Sequence, residues 1–257
     1  MRKLLLVIIY IWVYFCSEIL SQNLQDTLKI NNKIFVLEFF EDFDKYNDNW
    51  SMGDWTFETN LCEFNPENVN FWNSKLQLIL SKKKTFKGKY PNKPYWGAEY
   101  YTTKEFSYGR YIVKFKPVSI KGVISSFFLI HIDFDKNWTP TFWNEIDIEF
   151  VGATKKVQFN IWNKPKSQHP VIVELPFDAK NAFHIYTIDY LPDSIKFYID
   201  DSLYYAYKNI GIHHTLSIRA NLWISESIEW AGGFDEEYKL PSIAEYKWVK
   251  YYRLLNY

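Results

Sequence analysis

Hydrophobic and polar side chains alternate with a two-residue period along most of this chain. The period is clearest in segments rich in β-branched and aromatic residues, which are 111–117, 123–130, 156–162, 183–191, 195–200, 216–224 and 245–255. Short clusters of Pro, Gly, Asn and Asp separate them, and no long stretch has the 3.6-residue period of a helix. The pattern predicts an all-β fold, an antiparallel β-sandwich or jelly roll.

One of the alternating segments places three acids on the same face of a strand. The segment WNEIDIEF (143–150) carries Glu145, Asp147 and Glu149 at alternate positions, with hydrophobic residues between them. Successive side chains of a strand point to opposite faces, so the acids share one face and the hydrophobic residues share the other. Carboxylates this close repel one another, which indicates a function for that face.

Two other segments repeat this division into a polar face and a hydrophobic face. The side chains on their polar faces are amides, indoles and one hydroxyl, namely Gln158, Asn160, Trp162, Asn221, Trp223 and Ser225. Such groups bind sugar hydroxyls and stack on sugar rings. We therefore expect a concave sheet face that forms a substrate cleft. A solvated strand face is the alternative, and the two tryptophans argue against it.

Composition limits the classes of partner. The chain has 257 residues, enough for one sizeable β domain, although length alone also permits two small ones. Its 30 basic and 30 acidic residues cancel, so no net field attracts nucleic acid or an anionic membrane. The five histidines form no metal-binding motif and no glycine loop suits a phosphate, so we expect neither a metal site nor a cofactor. We expect a monomer.

The N-terminal segment predicts export. Arg2 and Lys3 precede an apolar run that ends near Cys16, which is short for a membrane span and typical of a signal peptide. We assign 1–22 to a signal peptide, 23–34 to a short N-terminal extension and 35–257 to the catalytic domain. The protein is then secreted or periplasmic, with no stable membrane insertion after cleavage; an uncleaved anchor is the alternative. Cys62 would be the one thiol left, a buried small hydrophobe without a disulfide partner.

Paired carboxylates are the usual machinery for hydrolysis of a glycosidic bond. One carboxyl protonates the leaving oxygen, and the other attacks the anomeric carbon or activates water. Residues four apart on a flat strand have Cα atoms about 13 Å apart, so the spacing of Glu145 and Glu149 leaves both retention and inversion open.

The ordered segments WGAEYYT, SYGRYIVKFKP, WNEIDIEFVG, KVQFNIW, NLW and AEYKWVKY resemble glycoside hydrolase family 16, and among its members the bacterial lichenases, which are endo-1,3-1,4-β-glucanases. The similarity runs from about Phe35 to Tyr252. It implies a concanavalin A-like jelly roll with a concave substrate cleft, and retention. It also implies that Glu145 is the nucleophile, Asp147 the assisting acid and Glu149 the general acid/base.

The resemblance further implies a set of substrate-binding positions in the cleft, which are Glu99, Phe128, Trp143, Asn160, Trp162, Asn221 and Trp223. The chain departs from the lichenase pattern at several positions. Tyr101 stands where lichenases have Arg, Ile130 where they have Tyr, and Thr56 where they have a cleft Asn. Gly97 takes the place of the disulfide partner of Cys62. The exact glucan therefore stays open.

These observations predict a secreted retaining endo-β-glucanase whose partner is a β-glucan, with mixed-linkage 1,3-1,4-glucan as the first candidate. Neighbouring negative charge raises the pKa of Glu149, as a general acid needs. A cell-wall transglycosylase with the same fold and mechanism is one alternative. A non-catalytic jelly-roll lectin is the other, and an intact acid triplet argues against it.

Calcium is expected to be dispensable for folding. Many lichenases hold a structural cation through an Asp in the last strand, and Lys247 occupies that position here. An ammonium group repels a cation. Addition of a chelator should leave the melting temperature unchanged in a thermal unfolding scan, whereas a decrease of several degrees would contradict the prediction.

Overall fold

The computed structural model describes residues 26–83, 88–137, 139–163, 167–209 and 211–255. Its strands are β1 (Thr27–Ile30), β2 (Lys33–Glu41), β3 (Trp50–Met52), β4 (Cys62–Phe64), β5 (Val69–Phe71), β6 (Leu76–Lys82), β7 (Tyr95–Phe106), β8 (Gly109–Lys116), β9 (Val123–Phe134), β10 (Pro140–Val151), β11 (Lys156–Asn163), β12 (Ser167–Glu174), β13 (His184–Tyr190), β14 (Ser194–Ile199), β15 (Ser202–Lys208), β16 (Leu216–Ile224) and β17 (Ser242–Leu255). The helical segments in these ranges are α1 (Ile228–Ala231) and two 3-10 turns, Pro66–Asn68 and Ala179–Asn181. The predicted all-β class is confirmed.

The strands form two antiparallel layers. The front sheet has the order β3-β7-β16-β9-β10-β11-β12. The back sheet has the order β1-β2-β17-β8-β13-β14-β15, and β5 and β6 extend it along the first half of β17. Short pairings of β7 with β6 and with β4 join the two layers at one edge. This arrangement is the predicted sandwich.

Aromatic side chains from both sheets fill the core between them. Phe150 on β10 meets Phe115 on β8 and Tyr186 on β13, with ring centroids 5.9 and 5.6 Å apart. Phe115 also stacks on Tyr246 of β17 at 4.9 Å. Each fully buried large side chain stabilises the fold by about 1.5–3 kcal/mol. A one-residue slip of β10 would move its acids into this core, so the hydrophobic side chains fix which face the acids occupy.

The predicted strands and the observed strands agree in their central residues. The segment 156–162 is β11, 216–224 is β16, and 245–255 is most of β17. The predicted N-terminal extension, 23–34, contains β1, which pairs with β2, so its described part belongs to the back sheet. The predicted signal peptide, 1–22, lies outside the described residues. Within the described ranges, no helix is long and apolar enough to cross a bilayer.

Cys62 and Gly97 lie side by side where β4 meets β7. Cys62 is fully buried, and burial raises the pKa of its thiol to about 12, so the thiol is inert at neutral pH. A Cβ atom placed on Gly97 would lie 3.2 Å from the Cβ of Cys62 and 2.6 Å from the carbonyl oxygen of Leu222 on β16. Three strands therefore approach closely at this glycine, at the position that the resemblance assigns to a disulfide partner.

The close approach at Gly97 predicts that Gly97→Ala destabilises the fold. The added methyl group would overlap a backbone oxygen that cannot move without disturbing β16, and overpacking of this kind costs about 1–3 kcal/mol. Urea unfolding should show a lower midpoint for the variant, and Ile228→Val, at an exposed position, serves as the control. Equal midpoints for Gly97→Ala and wild type would contradict the prediction.

Candidate active site

The three acids of β10 share one face of the front sheet with side chains of both neighbouring strands. Strand β9 pairs with β10 on one side and β11 pairs with it on the other. Asp147 lies between Phe128 and Asn160, both of which are buried. The remaining neighbours are Ile130 and Trp162 beside Glu145, and Ser126 and Gln158 beside Glu149. The strand register therefore places these side chains next to the acids, whereas the sequence alone showed only that the acids and the polar side chains of β11 each lie on a polar face of their own strand.

Strands β16 and β7 extend this face beyond β9. Asn221 on β16 is opposite Ser126 and also opposite Glu99 on β7, so a polar row crosses the sheet from Glu99 to Glu149. The Ser126 hydroxyl donates to Asn221 Oδ1 at 2.5 Å. The structure thus places Glu99 and Asn221 on the same surface as the acid triplet.

Burial and mutual repulsion shift the pKa values of the acid triplet upward. Burial, offset in part by the Trp143 indole that donates to Glu145 Oε2 at 2.7 Å, raises the pKa of Glu145 to about 7. Burial and the charge of Glu145 raise the pKa of Glu149 to about 8. Asp147 is the most deeply buried of the three, and desolvation with the charges of both glutamates holds its pKa well above the usual range.

The surroundings of the two glutamates distinguish them chemically. Against the effect of burial, hydrogen bonds from Trp143 and Asp147 lower the pKa of Glu145, whereas burial and the charge of Glu145 both raise the pKa of Glu149. Neighbouring carboxyls whose environments separate their pKa values are typical of acid and nucleophile pairs. Asp147 hydrogen-bonds to Glu145, and the protonated Asp147 can therefore share its proton with that carboxylate.

Two groups of aromatic side chains flank the triplet, one toward each end of β10. Trp143 stacks on Trp162 with ring centroids 5.7 Å apart and an interplanar angle of 22° beside Glu145. Beyond Glu149, Trp223 packs between Phe57 and Trp230, with centroids 4.9 and 6.1 Å away. Trp143 and Trp162 are partly exposed, whereas Trp223 is 7% exposed and presents little of its ring.

Arg219 belongs to this face, although the sequence analysis did not select it. Its Nη1 donates to Glu99 Oε1 at 3.1 Å, and its guanidinium lies 4.8 Å from the ring centroid of Tyr101. The Trp55 indole donates to the same oxygen of Glu99 at 3.1 Å. Tyr101 is the cross-strand partner of Arg219, so a guanidinium from β16 lies beside the position where lichenases carry their arginine on β7.

The alternation along β16 contained the signal for Arg219, because it lies two residues before Asn221 and shares its face. Trp230 was also missed. It lies on α1, outside the strand pattern, and its indole donates to Gln158 Oε1 at 3.1 Å. Gln158 was placed on the polar face but was not selected as a site residue.

In the part of the chain that the structure describes, no group of three or more His, Cys, Asp or Glu side chains is arranged to hold a metal ion. The Lys247 ammonium, at the position compared with the lichenase cation site, lies 4.6 Å from the ring centroid of Phe183.

Comparison with known proteins assigns the family. The sequence model of glycosyl hydrolases family 16 matches residues 51–249. The chain belongs to this family. Among curated relatives, a beta-glucanase of Acetivibrio thermocellus is 37% identical over 217 residues, covering 83% of this chain, and one of Bacillus subtilis is 35% identical over 219 residues, covering 83% of this chain and 85% of its own length.

A solved structure of a prokaryotic beta-1,3-1,4-glucanase (lichenase) from a mouse hindgut metagenome superimposes with a TM-score of 0.74 at 35% identity, and the match covers 83% of this chain and 97% of that one. The predicted family and the jelly-roll fold are confirmed. The match spans 61% of the length of the Acetivibrio thermocellus relative, which is the longer protein.

The raised pKa values predict that the free energy of unfolding falls as pH rises from about 5 to 8. The ordinary glutamate value is 4.5, so between that pH and about 8 the folded chain binds more protons at Glu145 and Glu149 than the unfolded chain does. Acids with lowered pKa values, such as Glu245 at about 2, are ionised in both states over this window.

Glu149→Gln removes one of these titrations, and the variant should lose less stability than wild type between pH 5 and pH 8. Urea unfolding at both pH values measures the difference, with Glu229→Gln, at an exposed position, as the control. The prediction is wrong if wild type and Glu149→Gln have the same dependence on pH.

Proposed function

We propose that this family 16 protein is a secreted, retaining endo-β-glucanase that cleaves mixed-linkage 1,3-1,4-β-glucan first and β-1,3-glucan second. The observation that carries the proposal is the pair Glu145 and Glu149 on one face of β10, with pKa values of about 7 and about 8. The relatives named beta-glucanase and the neighbour named lichenase support the choice of substrate.

In the first step, ionised Glu145 attacks the anomeric carbon while protonated Glu149 gives its proton to the glycosidic oxygen. The carbon–oxygen bond to the leaving sugar breaks, and an ester bond to Glu145 forms. Asp147 hydrogen-bonds to Glu145 and, with its pKa well above the usual range, supplies a proton to that contact. The protonated Asp147 thereby lowers the repulsion that Glu145 would otherwise meet as an anion.

In the second step, Glu149 acts as a base. Its carboxylate takes a proton from water, the water oxygen attacks the anomeric carbon, and Glu145 leaves as a carboxylate. Two displacements at the same carbon restore the β configuration. An oligosaccharide hydroxyl in place of water would give the transglycosylase product.

The surroundings of the triplet suit an uncharged glucan. The Trp143 and Trp162 pair offers aromatic surface for a sugar ring beside Glu145. Glu99 neutralises Arg219 within the polar row, so this part of the face offers hydrogen bonds without a net charge that would favour sulfated or uronate chains. Asn160 lies opposite Asp147 and Asn221 lies in the polar row opposite Ser126, and we assign both amides to sugar hydroxyls.

The mature protein is proposed to act outside the cytoplasm as a monomer, after removal of 1–22. The basic residues and the apolar run of that segment support export. A polymeric glucan is too large to enter a cell intact, which agrees with this location.

Incubation with separate polysaccharides tests the substrate. We expect barley mixed-linkage glucan to be cut to short oligosaccharides fastest, laminarin more slowly, and xyloglucan and agarose not at all, as measured by sizing of the products. Cleavage of xyloglucan or agarose with both glucans intact would overturn the glucanase assignment but keep the retaining mechanism. Binding without cleavage of any of the four would favour a lectin.

Alanine variants of the two glutamates test their roles. Glu145→Ala should abolish hydrolysis yet couple an α-glycosyl fluoride to an acceptor, because the fluoride takes the place of the ester to Glu145: the acceptor oxygen attacks the anomeric carbon and displaces fluoride while Glu149 takes the acceptor proton. Glu149→Ala should lose about 10²–10⁴-fold in rate and give a β-glycosyl azide when azide is added to an activated substrate. Product analysis by NMR measures both, and exchanged phenotypes would reverse the assignment.

A further inference from the structure

Glu149 is joined to Trp230 through the side chain of Gln158. The Gln158 Nε2 donates to Glu149 Oε2 at 2.8 Å, and the Trp230 Nε1 donates to Gln158 Oε1 at 3.1 Å. Gln158 is 7% exposed and lies on β11 directly opposite Glu149, so packing and the strand register hold its backbone in place. The three side chains form a continuous hydrogen-bonded chain from α1 to the general acid/base.

The indole at the far end determines the direction of this chain. A glutamine amide can turn either its oxygen or its NH₂ group toward a neighbour. A carboxyl group could pair with either one, because it accepts from the NH₂ group and, when protonated, donates to the oxygen. An indole N–H only donates. Trp230 therefore requires the amide oxygen on its own side, which leaves the amide nitrogen facing Glu149.

We propose that Gln158 and Trp230 are positioning residues for the general acid/base: Trp230 orients the Gln158 amide, and the oriented amide donates to Glu149 Oε2. The inference rests on the proposed function of Glu149, and it adds two residues to the reaction that were not assigned a part in it. Trp230 acts on Glu149 only through Gln158.

The orientation has a consequence for the proton of Glu149. Oε2 already accepts from the amide, so the acidic proton resides on Oε1, and Oε1 is the atom that protonates the glycosidic oxygen. The amide donor also favours the carboxylate that Glu149 becomes after the first step. It thus opposes the effect of burial and of Glu145, which both favour the neutral acid.

The charged groups around Glu149 are the same in the wild type and in variants of Gln158 or Trp230. Strand β10 contributes Glu145 and Asp147, while β9 and β11 present the uncharged Ser126 and Gln158. The charged residues farther along the same face include Glu99 on β7, Arg219 on β16 and the exposed Lys156 on β11, and α1 carries the exposed Glu229. Substitution of Gln158 or Trp230 by an uncharged residue leaves all of these charges unaltered.

The first experiment titrates Glu149 directly, by NMR of the ¹³C-labelled carboxyl group, with Glu149→Gln used to assign its resonance. Gln158→Leu removes the donor and should raise the pKa of Glu149 by about one unit. Trp230→Phe keeps a ring but frees the amide to turn its oxygen toward the acid, and should raise the pKa by about half a unit. Ile228→Val, on the same helix and 72% exposed, should cause no shift.

The double variant tests whether Trp230 acts through Gln158. Trp230→Phe should cause no further shift when Gln158 is already Leu, since the indole then has no amide to orient. Additive shifts would overturn the proposal, as would an unchanged pKa of Glu149 in both single variants.

The second experiment measures kcat and KM on barley glucan against pH. The alkaline limb of kcat/KM should move upward by the same amounts as the pKa found by NMR. If Trp230→Phe changes only KM and does not move the alkaline limb of the kcat/KM profile, Trp230 contacts the sugar directly and the proposal is wrong. NMR shifts as expected in a protein that cleaves no glucan would sustain the hydrogen-bonded chain and refute the proposed function, so the two outcomes are distinct.

Discussion

The burial of three carboxyl groups on one face of β10 is the constraint on which the rest of the site depends. Like charges at this spacing are tolerated because desolvation raises the pKa of all three acids, and Asp147, between the two half-buried glutamates, is the most deeply buried. The hydrophobic side chains on the opposite face of β10 anchor the strand in the sandwich core. The same strand therefore carries the acids on one face and fully buried core residues on the other.

Each acid is differentiated by what its neighbours donate. Glu145 accepts from the Trp143 indole and Glu149 accepts from an amide, whereas Asp147 hydrogen-bonds to Glu145 and burial with the charges of both glutamates holds its pKa well above the usual range. Indole side chains thus have two uses in the site. Their rings offer flat surfaces, and their N–H groups act only as hydrogen-bond donors. An aromatic content of 20% reflects both of these uses as well as the core between the sheets.

The two-residue period identified the strands and the side chains that share a face, because that information is local. It identified β10, β11 and β16 and the acids, amides and indoles they carry. Strand order is not local, so the row that connects Glu99 with Glu149 across β7, β16, β9 and β10 required the folded sheet. Trp230 was beyond reach for a different reason: α1 is a single turn with no periodic pattern, and only the fold brings it to Gln158.

The contact between Cys62 and Gly97 bears on how the protein matures. Removal of the predicted signal peptide, 1–22, would leave one sulfhydryl, that of Cys62, which is enclosed where β4, β7 and β16 converge. No covalent cross-link has to be made, reshuffled or protected during folding. Folding in an oxidising compartment and folding in a reducing one should therefore yield the same covalent chain, so this jelly roll does not depend on disulfide-forming enzymes.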